Sequence, residues 1–517
     1  MKDDSSTKGF VGPRREAVSR RRFLGTGALG LAGALLAPPP LLSSAFADDG
    51  HDRDRGRRRV LKGGIVLTLD GNWSPFKGDV LIDNGKIQAV GPNLHAWGAE
   101  VIDASDMIVM PGFIDSHRHM WQGLLRNIGP DDLLNDYLVK ILYGHALKMT
   151  PHDVYLGDTI SALSAMNSGI TTILDWSHIA NSSAHTDAAI QALRDAKMRA
   201  VYGYGPSFGF NPVTMGSNPY PNDIFRLRKQ FFSSSDQLLT LALAAAGPEF
   251  GGGVAFGGVA YAANEWKIAR HPDVQARITT HVGVGKGGQD GLVAKLDEAL
   301  LADHQPGLGP DTTYIHCSTL NNAELDLIAK TGGTVSLAVP IEMQMGHGMP
   351  PIQKFLDRGV RPSLSVDVET NQPSDMFTQM RACFALQRAL YIESHPNDCF
   401  FGFFQDPANC RSPKTLNVRD VLEFATREGA RTTGLLHKTG TLTPGKEADV
   451  ILLRGEALNV SPLNDAVGAI VLGMDTSNVD SVFIAGRAVK RNGRLLGVDV
   501  EHLKRQAERA RDALLQR

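Results

Sequence analysis

Met107-Ile-Val-Met-Pro-Gly-Phe-Ile-Asp-Ser-His117-Arg-His119 is the stretch on which the reading of this chain turns. Its apolar run, Met107 to Ile114, has the composition of a buried strand. The run ends on two histidines one residue apart. Residues i and i+2 of a strand point to the same face, so His117 and His119 can aim two imidazoles at one point, as a divalent metal requires. A pair spaced in this way also arises by chance, so the rest of the chain must supply further ligands.

Working outward, strand and helix patterns alternate. Strands are expected at Phe113–Asp115, 171–175, 200–204, Leu239–Ala245, 277–280, 313–315, 334–338 and 362–366. Helical stretches are expected at 151–168, 186–197, 222–231, 290–301, 321–330, 351–358 and 373–391. Eight strands with intervening helices predict an α/β fold with a closed (β/α)8 TIM-type barrel over 111–436; a doubly wound open sheet is the rival. The barrel is preferred because polar residues end many different strands, and such a barrel builds its site at those ends. His281 ends the fifth strand, His316 the sixth and Asp367 the eighth. Each alone suits an ordinary part-buried polar residue. Together with His117 and His119 they place four imidazoles and a carboxylate at one rim, a donor set for zinc, with iron the alternative.

Short strands flank the barrel at both ends. Residues 60–110, with an Asp83-Asn84-Gly85 hairpin turn, and 437–495 are expected to form one small β-sandwich built from both termini. An amphipathic helix within 496–517 is expected to pack on the barrel or on a second copy, as a homodimer. Residues 48–59 read as a charged linker. Before it, residues 1–47 read as a twin-arginine signal peptide: Ser19-Arg20-Arg21-Arg22-Phe23-Leu24, an apolar stretch from Gly25 to Leu36, then Ala45-Phe46-Ala47 before Asp48. Pro38, Pro39 and Pro40 argue against stable membrane insertion. This predicts export by the Tat machinery to the periplasm or beyond. Such export moves folded proteins, so a metal can be loaded first.

The chain has 517 residues, 42% hydrophobic and 21% charged, with a net charge of −2. Residues 1–47 hold seven Lys/Arg and three Asp/Glu, so the remainder lies near −6. No basic stretch in the folded part points to nucleic acid, which leaves a small-molecule substrate. Cys317, Cys383, Cys399 and Cys410 are too few for a disulfide framework. Cys399 and Cys410 are candidates either for pairing after export or for free thiols.

PGFIDSHRH (111–119), THV (280–282), IHCSTL (315–320) and LSVDVETN (364–371), in that order, resemble the amidohydrolase superfamily, in its cyclic-deaminase and triazine-hydrolase branch. GTLTPGKEADVILL (440–453) and VFIAGRAVKRNGRL (482–495) resemble the C-terminal strands of the same group, so the resemblance spans roughly 58–495. It implies His117, His119, His281 and Asp367 as ligands of one divalent metal. His316 would stand beside it to hydrogen-bond the attacked group or the water, and Asp367 would take the proton of that water. Two-metal relatives use a carbamylated lysine on the fourth strand. No lysine lies between Gln230 and Trp266, so one metal is expected.

Deaminases of this branch carry a proton-shuttling glutamate three residues after the fifth-strand histidine. Here His281-Val282-Gly283-Val284 has none. Glu249, after the fourth strand, and Glu342, after the seventh, are the candidate replacements, Glu342 lying closer to the strand that carries Asp367; a cap or rim ion pair is the plain alternative for each. Trp121, Gln122 and His178 are candidate substrate contacts, and the irregular stretch 205–222 a candidate lid. The expected enzyme is an exported metal-dependent hydrolase that cleaves a C–N bond in a small cyclic or heteroaromatic compound. Amide or amidine hydrolysis is favoured over deamination. The alternatives are a chlorohydrolase-type C–X hydrolase, a non-catalytic metal-containing binding protein, or a metal-stabilised subunit of a larger assembly.

Overall fold

A computed structural model describes residues 54–207, 220–250, 258–285, 288, 291–395 and 415–517. The signal peptide read at 1–47, the first part of the linker, most of the stretch 205–222, and Cys399 and Cys410 lie outside the described residues. Cys317 and Cys383 are buried free thiols.

Five strands come first: β1 (Arg59–Val66), β2 (Phe76–Asp83), β3 (Lys86–Gly91), β4 (Glu100–Asp103) and β5 (Met107–Pro111). Eight follow: β6 (Phe113–Arg118), β7 (Ile170–Ser177), β8 (Arg199–Tyr204), β9 (Leu239–Ala245), β10 (Arg277–Val282), β11 (Thr312–His316), β12 (Thr334–Leu337) and β13 (Ser363–Leu364). The last are β14 (Val450–Arg454), β15 (Val479–Ile484), β16 (Arg487–Arg491) and β17 (Arg494–Leu495).

β6 to β13 pair in chain order and all in parallel. The sheet returns on itself where Arg118 bridges Asp367. There His119 N donates to Asp367 O at 2.9 Å, and Asp367 N donates to His117 O at 3.0 Å. This is a TIM-type barrel, and its seam falls on the residues singled out as ligands. The eighth strand is shorter than expected because the Asp115 carboxylate accepts the Val366 amide at 3.0 Å, taking it from a neighbouring carbonyl. Helices Pro151–Asn167, Ser183–Asp195, Ile224–Phe231, Leu292–Ala302, Asn322–Thr331, Ile352–Leu356 and Met376–Ser394 stand where the sequence places them, within a few residues. The helix Gly258–Arg270 was not anticipated, since the glycine-rich approach to it reads as loop.

The two ends of the chain do join. β5 pairs with both β1 and β14, and the terminal strands form one nine-stranded hydrogen-bonded sheet rather than two separately paired ones. Gly112 is the hinge from this sheet into the barrel. A Cβ there would lie 2.2 Å from the Thr171 side chain, so only glycine lets the chain pass. The linker end at Asp54 is engaged, since the buried Arg59 guanidinium bonds both Asp54 and Gly486 O. The C-terminal helix Val500–Gln516 buries Leu503, Ala510 and Leu514, and just beyond it Arg517 bonds Asp153 of the helix Pro151–Asn167 at 2.6 Å. No helix among the described residues is long and apolar enough to cross a membrane.

Candidate metal centre

The barrel brings the scattered donors together. His117 Nε2 lies 3.1 Å from Asp367 Oδ1 and 3.2 Å from His281 Nε2. His119 Nε2 lies 3.3 Å from Asp367 Oδ1, and His316 Nε2 lies 3.7 Å from Asp367 Oδ2. One donor atom each from His117, His281, His316 and Asp367 falls within 4.8 Å of the others. His119 joins this set through Asp367.

Hydrogen bonds on the far side of the rings orient two of these donors. His119 Nδ1 lies 2.8 Å from Trp176 O, a carbonyl that can only accept, so the proton sits on Nδ1 and the Nε2 lone pair faces the site. His316 Nδ1 lies 3.2 Å from Glu342 Oε1, which also accepts the Ala338 amide at 2.9 Å. His316 therefore presents Nε2 in the same way. Burial pushes His117 down to about 3 and His316 to about 4, and it holds His281 well below the usual imidazole value. Burial also opposes ionisation of Asp367, but the His117 and His119 rings beside it keep its carboxyl well below the usual range. Imidazole nitrogens thus crowd a carboxylate in a largely buried site at the foot of a cleft. Such a set repels itself unless a cation stands among its members, and N/O donors of this kind suit zinc.

His316 (φ 70°) and Asp367 (φ 67°) both occupy the left-handed region, which costs a non-glycine residue about 1–2 kcal/mol. Strain of this kind persists where surrounding contacts impose it, and it gathers at functional sites. At Asp367 the contacts are visible. Arg118, fully buried between the two histidines, donates to Asp115 Oδ2 at 2.6 Å and to Glu369 Oε1 at 2.9 Å. Glu369 also receives Arg126 at 2.8 Å and Ser161 at 2.7 Å.

The other expected site residues fall into two groups. His178 lines the cleft above the cluster. Trp121 and Gln122 stand behind it. Trp121 Nε1 donates to His178 Nδ1 at 2.8 Å, which leaves the His178 Nε2–H directed at the Tyr137 hydroxyl, 3.5 Å away. Gln122 Nε2 donates to Tyr137 OH at 2.6 Å. Neither carboxylate candidate lines the cleft. Glu342 is wholly buried behind His316, and burial holds its acid well above the usual range. Glu249 accepts the amides of Gly283 and Val284, bracing the loop after β10.

Several cleft residues escaped the sequence reading. Leu134, Tyr137, Leu138 and Leu142 form one wall, and Met345 and His347 another. The leucines recur at i, i+4 and i+8, the mark of a helix face. It went unread because it lies in an insertion between β6 and its barrel helix, where no element was sought.

The sequence model of the amidohydrolase family matches residues 108–489. The 5-methylthioadenosine/S-adenosylhomocysteine deaminase of Pyrococcus furiosus is 24% identical over 451 residues, 86% of this chain and 98% of that protein. Among solved structures, a zinc-bound adenosine deaminase of Xanthomonas campestris superposes with a TM-score of 0.75 at 21% identity, over 89% of this chain and 99% of that one. The zinc complex of atrazine chlorohydrolase from Arthrobacter aurescens TC1 does so at 0.71 and 21%, over 87% and 99%.

Proposed function

The chain belongs to the amidohydrolase family and is a hydrolase of carbon–nitrogen bonds other than peptide bonds, and from that premise we propose that it binds one divalent metal, zinc ahead of iron, through His117, His119, His281 and Asp367 and opens a C–N bond in a small cyclic or heteroaromatic substrate. The observation that carries this is the convergence of imidazole nitrogens on the Asp367 carboxylate. When bound, the metal supplies Lewis acidity and brings the pKa of its water to about 7.

In this reading the chain's own groups do the rest. Asp367 Oδ accepts the proton released by the attacking water. His316, with Nε2 facing Asp367, orients the attacked group, and Glu342 fixes which of its nitrogens does so. The Tyr137 hydroxyl, accepting from Gln122 and facing His178, offers its own O–H to the substrate, and Trp121 fixes the His178 ring behind it. The space where a deaminase of this branch would carry its glutamate is lined by Val284. Expelling ammonia from a ring needs a proton at that ring, so amide or amidine hydrolysis is proposed ahead of deamination.

Purified protein is expected to hold one metal equivalent, and two would contradict the mononuclear reading. A screen of nitrogen heterocycles, cyclic amides and ureas distinguishes the outcomes: ring opening supports the proposal, ammonia release favours a deaminase, and halide release favours the chlorohydrolase alternative. Export of residues from about Asp48 onward remains part of the proposal, on the twin-arginine pattern, and retention of the full-length chain inside the cytoplasmic membrane would overturn that part. We read the terminal sheet as folding over itself into a sandwich, because Val80, Ile87, Val450 and Phe483 from distant strands share one apolar cluster.

A further inference from the structure

We propose that His347 is the substrate-recognition residue of the cleft, and that the ligand it takes is an uncharged planar nitrogen heterocycle bearing an apolar substituent; this rests on the hydrolytic reading of the same site. The His347 ring is 4% exposed, and among the described residues neither of its nitrogens has a hydrogen-bond partner. A buried donor or acceptor left unpaired is costly. The backbone around it is braced. His347 N donates to Glu342 O at 3.1 Å, Gly285 N donates to His347 O at 2.8 Å, and Leu134 N donates to Met345 O at 3.0 Å. The loop thus ties the β10 end, the leucine wall and the His316–Glu342 pair together. It holds out an imidazole that serves none of them.

Its position makes the ring useful. It packs edge-on against His316 with centroids 4.6 Å apart, so a molecule touching His347 lies over the cluster. A neutral imidazole offers one N–H donor and one lone pair, which suit a ring nitrogen or an exocyclic N–H of a heterocycle. Around it Leu134, Leu138, Leu142, Val284, Met345 and Val368 line the cleft. Among the described lining residues the sole carboxylate is Asp367, and none is Lys or Arg. Against this described lining a charged substituent would lose its water without gaining a counter-ion, which is costly. An alkyl substituent would gain with every methylene it buries.

The test is equilibrium binding to the metal-loaded protein of N-butyl and N-(3-carboxypropyl) derivatives of adenine and of diamino-1,3,5-triazine. At least one butyl compound is expected to bind about 10-fold tighter than its carboxylate twin, the weight of roughly two buried methylenes or one hydrogen bond. His347→Leu is expected to weaken that binding by about 10-fold while retaining one metal equivalent, and His347→Gln, which keeps a donor and an acceptor, to recover most of the loss. The proposal is overturned if the carboxylates bind as well, if no butyl compound binds, if His347→Leu binds like the parent, or if that variant loses its metal. These constants are read without turnover. A protein that binds the butyl compounds through His347 but cleaves nothing would sink the hydrolytic reading alone.

Discussion

Glu342 acts on the cleft without touching it. Its carboxyl fixes the His316 tautomer from behind, so its importance lies in an acceptor oxygen and not in a charge. Glu342→Gln keeps that oxygen and is expected to hold kcat/KM within about 3-fold, whereas Glu342→Leu removes it and is expected to lose about 10–100-fold, the weight of a partner that orients a histidine of such a site. Equal losses in both variants would instead give Glu342 a proton-transfer role. Asp367→Asn is expected to lower kcat by about 10²–10⁴-fold, the contribution of a positioned acid–base group; a change under 10-fold in the metal-loaded variant would remove Asp367 from the chemistry. At this scale the sequence was most informative about the donors, because each stands at a strand end that its own neighbours define. It was less informative about Trp121 and Gln122, which sit next to the site in sequence and act through His178 and Tyr137.

Between elements, the barrel seam and the glycine contact beneath it set the site. Beyond the end of β13, Asp367 meets β6 through its bridge to Arg118, and Arg118, Asp115 and Glu369 clamp the two ends together. Glu369→Gln is expected to weaken metal binding by about 10–100-fold in chelator competition, since the clamp holds Asp367 in its left-handed geometry; unchanged affinity with lowered stability would make the clamp merely structural. The short helical segment Met120–Leu125 lies directly on the helix Pro151–Asn167, where a Cβ on Gly157 would stand 2.2 Å from Trp121 O. Gly157→Ala is expected to cost about 1–3 kcal/mol in denaturant unfolding and to raise KM, because Trp121 must move and His178 with it. A variant as stable as the parent would refute that packing argument. The helical periodicity of Leu134, Leu138 and Leu142 was present in the sequence, but nothing local says that the face they share turns inward over a barrel mouth.

At the scale of the whole molecule, the terminal sheet is joined to the barrel at the end opposite the metal centre. Arg199, at the start of β8, bonds both oxygens of Asp449 at 2.5 and 3.0 Å, and both residues are buried. Arg199→Leu strands the Asp449 charge and is expected to cost about 3–5 kcal/mol of stability with the kcat of the folded protein unchanged; a fall in kcat would show that the sheet reaches the site. The amino-acid sequence by itself determined most of the order of strands and helices, the joining of the two chain ends and the identity of the histidines and the aspartate that gather at the barrel mouth. Each of these follows from periodicity, turn chemistry and residue type within a few positions. Only the tertiary structure decided which of those side chains meet. His117 and Asp367 stand 250 residues apart and come within 3.1 Å when the barrel closes. The same closure turned two acidic candidates into supports and gave the cleft a leucine wall and an unpaired histidine, because contacts between distant segments leave no trace in local pattern.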